Sequence, residues 1–203
     1  MASSVETATV TASTRSRLLS AALSLFTVHS FAGTSLQMIA DSVGVTKAAV
    51  YHHFKTREEI LAAVIDPAIR EMRSAVAAAE DERRPTAQAE SMLVRFVDVT
   101  IRHRALVTLI WTDAGVVDTA GAGEDTIRLA NRVRALLTAH QSPPQAAVNA
   151  SIAVVGIASA AASPLLLDLP DEVLREYLLD AGRRILTLRR RASKSEHGAD
   201  DAQ

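Results

Sequence analysis

The chain has 203 residues, with 22 Lys and Arg against 23 Asp and Glu, and no cysteine. This length accommodates one large domain, or a small domain joined to a larger one. The lack of cysteine excludes disulfides, thiolate metal sites and cysteine nucleophiles. Hydrophobic residues make up 48% of the chain but aromatic residues only 3%, so the core must consist mainly of Ala, Leu, Val and Ile, which suits closely packed helices.

The charges are unevenly distributed along the chain. Residues 1–57 contain five Lys or Arg residues and two acids, whereas the remainder contains 17 and 21. A basic N-terminal part on an acidic body is typical of a regulator that contacts DNA at one end. Residues 1–13 lack the basic start and apolar core of a secretory signal, so we expect a disordered tail there and a second one at residues 192–203.

Three apolar stripes at helical spacing lie within residues 14–60, where we place a small domain. The stripes consist of Leu19, Ala22, Leu23 and Phe26; of Leu36, Ile39, Ala40 and Val43; and of Val45, Val50 and Phe54. Residues three and four apart share one face of a helix, so each stripe predicts an amphipathic helix. Together they predict a three-helix unit with its own core, in which residues 35–54 form a helix-turn-helix.

Residues at the predicted helix ends support this arrangement. Thr34 followed by Gln37 predicts a capping box at the start of the second helix, and Thr46 predicts the N-cap of the third. Gly44 stands where the chain must turn, a position that favours a residue tolerating positive φ. Thr56, with a glutamate three residues later, predicts a capping box that opens a fourth helix.

The third helix has an outward face suited to DNA. Its outward positions are Lys47, Ala48, Tyr51 and His52, followed by Lys55. A cation therefore stands at each end of this face and no acid interrupts it. A helix that lies against backbone phosphates needs this distribution of charge.

Residues 15–61 resemble the DNA-binding domain of the tetracycline-repressor (TetR) family. The matching segments are 31–35 (FAGTS), 39–40 (IA), 43–47 (VGVTK), 50–55 (VYHHFK) and 58–61 (EEIL). Ala48 stands where many members carry glycine, a change that favours the helix. The resemblance implies a bacterial cytoplasmic homodimer that binds a palindromic operator in double-stranded DNA and, as a repressor, is released by a small molecule.

Nine residues are candidates for DNA contacts. They are Ser35, Gln37, Thr46, Lys47, Ala48, Ala49, Tyr51, His52 and Lys55. Lys47 is the first choice for a base or phosphate contact, and Tyr51, His52 and Lys55 are expected on phosphates. Ser35 and Thr46 stand at helix N-termini, where the dipole favours anions. Gln37 either reads a base edge or only closes its capping box, and the two alanines either touch a thymine methyl group or allow close approach.

Apolar periodicity predicts an all-α body over residues 61–191, giving about nine helices in the whole chain. The predicted helices cover residues 57–79, 87–103, 105–117, 124–140, 143–162 and 171–190. Residues 141–167 carry no charge and are long enough to cross a bilayer. Asn149, three prolines and many small residues favour a helix buried among other helices, so we expect no membrane association.

The last two helices are predicted to form a dimer interface. Leucines and other apolar residues recur at alternating intervals of four and three from Leu174 to Leu188, as in a coiled-coil seam. The candidate interface residues are Ala150, Ala153, Gly156, Leu174, Leu178, Ala181, Ile185 and Leu188. The family resemblance implies that these helices form a four-helix bundle with a second copy. A core role within a monomer is the alternative.

By the same resemblance, an effector would bind among the body helices of residues 60–140. The candidate lining residues are Met92, Phe96, His103, Leu109, Trp111, Thr112 and Asp113. Each also has an ordinary structural role open to it, such as core packing for Met92 and Phe96 or capping a turn for Asp113. The small number of aromatic residues favours a small apolar effector over a flat molecule with several rings.

The residues favour a DNA-binding regulator over an enzyme. The chain has no Gly-rich phosphate loop, no nucleophile in a recognisable setting and no histidine spacing typical of a metal site, so we expect no cofactor and no metal. An activator, or a regulator without a small ligand, fits the same residues. The remote alternative is a small helical enzyme that uses His103 and Asp113 as an acid–base pair.

Overall fold

The computed structural model describes residues 2–120 and 123–188. Its helices are α1 (Ala2–Gly33), α2 (Leu36–Val43), α3 (Lys47–His53), α4 (Arg57–Glu80), α5 (Pro85–Arg102), α6 (Arg104–Thr112), α7 (Ala114–Ala120), α8 (Glu124–Leu137), α9 (Gln145–Ala162) and α10 (Asp171–Ile185). A short 3₁₀ helix, Pro164–Leu166, precedes α10. The residues described contain helices and connecting turns and no strand, which confirms the all-α prediction.

The helices enclose two hydrophobic cores. The first is formed by α1–α3 and the beginning of α4, around the fully buried Phe26, Ile39 and Val50, and it also includes buried residues of α6 and α7. The second lies between the rest of α4 and helices α5, α8, α9 and α10, around Met92 and Leu137. We refer to α1–α3 with the beginning of α4 as the head, and to the remainder as the body. Because α4 contributes to both cores, the predicted boundary after residue 60 falls within a continuous helix.

Several helix boundaries differ from the predictions. α1 begins at Ala2, so the disordered tail expected at residues 1–13 is helical from residue 2, and this segment has no proline or glycine to stop a helix. The helix predicted at 105–117 is divided into α6 and α7, because the Asp113 backbone is extended and its carboxylate accepts the Gly115 N–H. α8 and α10 end at Leu137 and Ile185, earlier than predicted. The tail predicted at 192–203 lies outside the described residues.

Among the described helices, α9 alone has the length and apolar composition of a membrane span, with a mean hydropathy of 1.5. It packs against α5, α6, α8 and α10, yet only 28% of it is buried within the chain. Length and composition do not distinguish a membrane span from a helix at a protein interface. The exposed side of α9 is therefore an apolar surface that no residue in the described part of the chain covers.

Candidate nucleic-acid interface

α2 and α3 form a helix-turn-helix whose turn and caps are made by short local contacts. Gly44 has φ 75° and ψ 35°, and its N–H bonds back to the last turn of α2, which confirms the predicted left-handed turn. The Thr46 hydroxyl accepts the Ala49 N–H at 3.2 Å and so caps α3 as predicted. Thr56 caps α4 in the same way through the Glu59 N–H at 3.1 Å.

The start of α2 differs from the prediction. Ser35 is the N-cap, and its Oγ accepts a backbone N–H three residues later at 3.2 Å. Thr34 is buried, and its hydroxyl donates to the Ser30 carbonyl at 2.8 Å. Gln37 donates to Asp41 at 2.7 Å. The predicted Thr34–Gln37 capping box is therefore wrong, because the helix starts one residue later than the pattern indicated.

α3 turns one side toward the core of the head and the other toward solvent. Val50 and Phe54 are only 0% and 4% exposed, and Val45 packs against the same core, as predicted. Of the nine candidate DNA contacts, Ala49 is half-buried and the others, Ser35, Gln37, Thr46, Lys47, Ala48, Tyr51, His52 and Lys55, are exposed. The head thus presents the N-termini of two capped helices and the outer side of α3 to solvent.

Three of the five Lys and Arg residues in residues 1–57 donate hydrogen bonds to backbone carbonyls at the ends of the head helices. The Arg17 guanidinium donates to the Val43 carbonyl at 2.8 Å, at the end of α2. The Lys55 ammonium donates to a carbonyl of α3 at 2.6 Å. Arg57 donates to three carbonyls between residues 31 and 34, after α1 breaks at Ser30. These contacts leave helix dipoles stabilised at their negative ends.

The head matches a known family of regulators. Residues 18–64 match the N-terminal domain model described as bacterial regulatory proteins, tetR family. Residues 18–64 therefore form a domain of the TetR type. The chain is 40% identical over 60 residues to the transcriptional regulator SrpR of Pseudomonas putida, covering 30% of this chain and 28% of that protein. It is 37% identical over 54 residues to the transcriptional repressor KstR2 of Mycolicibacterium smegmatis, covering 27% and 26%.

The matched part of the chain spans less than a third of the length of either curated relative. Solved structures extend the likeness to the whole fold. The TetR-family regulator PfmR of Thermus thermophilus aligns with a TM-score of 0.64 at 19% identity, over 87% of this chain and 97% of that one. A TetR-like regulator of Rhodococcus aligns with a TM-score of 0.65 at 20% identity, over 86% and 96%. The body therefore shares the family fold, whereas its sequence has diverged.

The head and the body are joined by the packing of α6 and α7 against the head core and by a hydrogen bond at the end of α6. The Asp113 carboxylate accepts the Phe31 N–H at 2.5 Å, and its second oxygen accepts the Gly115 N–H at 3.0 Å. The Phe31 N–H is free for this contact because α1 breaks at Ser30, where φ is 64°. On its other side, the Phe31 carbonyl accepts from Arg57 at 3.0 Å. A body residue thus fixes the position of the peptide that leads into the helix-turn-helix.

The seven candidate effector-lining residues lie in different environments. Met92 and Phe96 are buried in the body core and Leu109 in the head core, whereas Trp111 is 45% exposed and Thr112 is also exposed. Two open grooves of about 410 and 330 Å³ lie against α5, one beside α10 and one beside α4, and none of the seven lines either groove. An effector site among these seven residues therefore stays a prediction.

The acid–base pair of the enzyme alternative is not formed. His103 lies before α6, with its Nε2 3.3 Å from a Glu71 carboxylate oxygen. Asp113 lies after α6, where its carboxylate accepts the Phe31 N–H of the head. A nine-residue helix separates the two, a length of roughly 14 Å. No group of three or more His, Asp or Glu side chains that could hold a metal ion occurs in the described part of the chain.

The predicted leucine seam points inward. Ala150, Ala153, Leu174 and Leu178 are between 0% and 6% exposed within the single chain. These four residues belong to the core of the single chain, and their part in a dimer interface stays a prediction. Ile185 and Leu188 are partly buried against the same core. Gly156 and Ala181 are exposed and remain candidates. The alternating intervals of four and three residues do indicate a packed helix face. The same pattern occurs on a face that packs within the chain and on a face that packs against another chain.

The outer face of α9 carries apolar residues that the sequence analysis missed. Val148, Ile152 and Val155 are 56%, 50% and 51% exposed, and Tyr177 on α10 is 65% exposed. A Cβ added at Gly156 would meet nothing within 4 Å, so this part of α9 is open to a close neighbour. The spacing of 148, 152 and 155 is itself helical, and this signal was available in the sequence. It was overlooked because α9 is apolar on nearly every side.

Proposed function

We propose that this protein is a homodimeric transcriptional repressor of the bacterial cytoplasm, bound to a palindromic operator and released by a small apolar effector. The observation that carries the DNA-binding part is the outer side of α3, with Lys47 at its start, Tyr51 and His52 exposed and no acid between them. Helix N-termini and such side chains position a protein on phosphates and bases. The repressor role is supported by the name of the M. smegmatis relative, a transcriptional repressor.

The dimer is proposed through the outer faces of α9 and α10. Two apolar faces of this kind, brought together by a two-fold axis, would cover Val148, Ile152, Val155 and Tyr177 and remove them from water. A symmetric dimer would place two copies of α3 about 34–36 Å apart, in successive major grooves of one side of the duplex. The operator would then have the same two-fold symmetry as the protein.

Release by an effector is proposed to act through α6. At its N-terminus, Arg104 donates to the Ala161 carbonyl at 2.6 Å and the Leu166 carbonyl at 2.7 Å, at the end of α9. At its C-terminal end, Asp113 holds Phe31 of the head. A ligand that moves α6 would therefore move the head relative to the dimer helices and change the distance between the two copies of α3. Affinity for the operator would fall without a change in the reading residues.

The first test is a selection of duplexes from random sequence, followed by fluorescence anisotropy with the selected duplex and a scrambled one. We expect a preference for the selected palindrome of about 10³ or more, and its loss in Lys47→Ala. Equal affinity for both duplexes would contradict a sequence-specific regulator. In vitro transcription from a promoter carrying the selected site then separates the repressor from an activator, and candidate effectors are added to the same complex.

A further inference from the structure

The sides of α3 differ in the charges that they carry. At 100° per residue, Lys47 and Tyr51 lie on one flank, Ala49 and His53 on the other, and His52 points outward between them. A helix about 10–12 Å wide fills a major groove about 12 Å wide, so the two flanks face the two phosphate walls. On the first flank, the Lys47 ammonium lies 5.8 Å from the centre of the Tyr51 ring. On the second flank α3 itself has no Lys or Arg.

α1 supplies the cation that this second flank lacks. The Arg15 guanidinium lies 5.1 Å from the centre of the Phe54 ring, and the His53 ring centre lies 6.4 Å from that same ring. Arg15 is exposed and stacks on Phe54, and its charge also acts on His53. Arg17, Lys55 and Arg57 donate to backbone carbonyls, whereas the charges of Arg15 and Lys47 lie over aromatic rings.

The surroundings of His53 are positive. Partial burial, the neighbouring His52 and the Arg15 charge together lower the pKa of His53 below its ordinary value. Two acidic side chains on the helices next to α3 are held in other hydrogen bonds. Asp41 on α2 accepts from Gln37, and Glu59 on α4 accepts the Lys55 N–H at 2.6 Å. Glu58 is exposed at the start of α4 and does not contribute to the pKa change.

We propose that Arg15 and His53 together bind one phosphate of the DNA backbone, on the groove wall opposite Lys47 and Tyr51, and that His53 takes up a proton when the phosphate binds. This rests on the proposed placement of α3 in the major groove. A phosphate would reverse the local potential that disfavours the imidazolium, so the pKa of His53 would be higher in the complex than in the free protein. Affinity then increases as pH falls through the interval between the free and bound values, and becomes constant below it.

The test measures the affinity for the selected duplex between pH 6 and pH 8 at constant ionic strength, and its salt dependence at each pH. Wild type is expected to bind more tightly at pH 6, by at most about tenfold per pH unit for one proton. His53→Gln should lose most of this pH dependence, and His53→Lys should bind tightly at both pH values. His52→Gln is the control for titration of the adjacent ring, and should keep most of the effect.

Arg15 is tested by the slope of log K against log salt concentration. Arg15→Ala should reduce the slope by about one phosphate contact, whereas Arg15→Lys should retain it. The matched control is Arg83→Ala, an exposed arginine between α4 and α5, which should leave the slope unchanged. Circular dichroism melts establish that each variant is folded, and a variant that melts early is replaced by its conservative partner, Arg15→Lys or His53→Lys.

The outcomes separate this proposal from the function on which it rests. In the first case, wild type binds the selected duplex and Lys47→Ala weakens this binding. If Arg15→Ala then keeps the wild-type slope, or His53→Gln keeps the wild-type pH dependence, the Arg15–His53 phosphate site is overturned and the proposed repressor function stands. If wild type binds no duplex at low salt, the DNA-binding function fails first.

Discussion

The head and the body of this protein are built from the same kind of helix but end in different kinds of surface. In the head, short helices are capped locally by Ser35, Thr46 and Thr56, and the apolar side chains meet in a core that α6 and α7 cover. In the body, α9 has apolar residues on both sides and only one side is covered. In the head, residues close together in the sequence satisfy the polar groups at the helix ends and so determine the surface. The uncovered apolar face of α9 instead depends on the molecule that packs against it.

The largest effects are expected when a charged residue is placed on the inner or the outer side of α9 and α10, the helices of the proposed dimer interface. Leu178→Glu places a carboxylate in a site that is 6% exposed, and should destabilise the fold by about 3 kcal/mol or more. Ile152→Glu changes a residue that is 50% exposed, so the fold should survive while the dimer dissociates. Sedimentation velocity and thermal melts distinguish the two. Val28→Glu, on the head and 71% exposed, is the control. A dimeric Ile152→Glu variant would place the interface elsewhere.

The next effect tests how closely α5 and α10 approach. A Cβ at Gly182 would lie 2.6 Å from Leu93 Cδ1, and Leu93 is fully buried, so it has little room to move. Gly182→Ala should destabilise the body by about 1–3 kcal/mol, as overpacked cores do. Gly156→Ala meets nothing within 4 Å inside the chain and should leave the monomer as stable or more so. Chemical denaturation measures both. Equal stability of the two variants would contradict the close approach.

A similar or smaller effect is expected at the contact between body and head. Asp113→Ala removes the acceptor of the Phe31 N–H and should cost about 1–3 kcal/mol. Hydrogen exchange of the Phe31 amide should speed up more than exchange in the body core, because the contact is local. Asp168→Ala, an exposed acid between α9 and α10, serves as the control. Unchanged exchange at Phe31 would show that Asp113 does not hold the head in solution.

The smallest effect is expected at the cap of α3. Thr46→Ala removes the acceptor of the Ala49 N–H and should cost about 1 kcal/mol. The change also removes a candidate DNA contact, so operator affinity should fall more than the stability of the head. Ser42→Ala, an exposed serine of α2, should change neither. If Thr46→Ala melts like wild type, the cap contributes less than its geometry indicates.

The accuracy of the sequence predictions follows the range of the interactions involved. Gly44 and Thr46 act within three or four residues, so spacing alone located the turn and the cap. The capping box at Thr34 was wrong by one residue, because Thr34 is buried by tertiary packing and Ser35 takes its place. Among the candidate effector-lining residues, Leu109 and Met92 both follow a helical pattern but belong to different cores. Helical periodicity identifies a packed face and leaves its partner open.

By itself, the sequence determined the all-helical fold, the helix-turn-helix and the outward side of α3, because these depend on periodicity and on caps a few residues apart. The tertiary structure decided which side of α9 and α10 is covered, where Asp113 attaches the body to the head, and how Arg15 comes to lie over the Phe54 ring. Each of these joins residues far apart in the chain. Their contact depends on how whole helices pack, which no local spacing records.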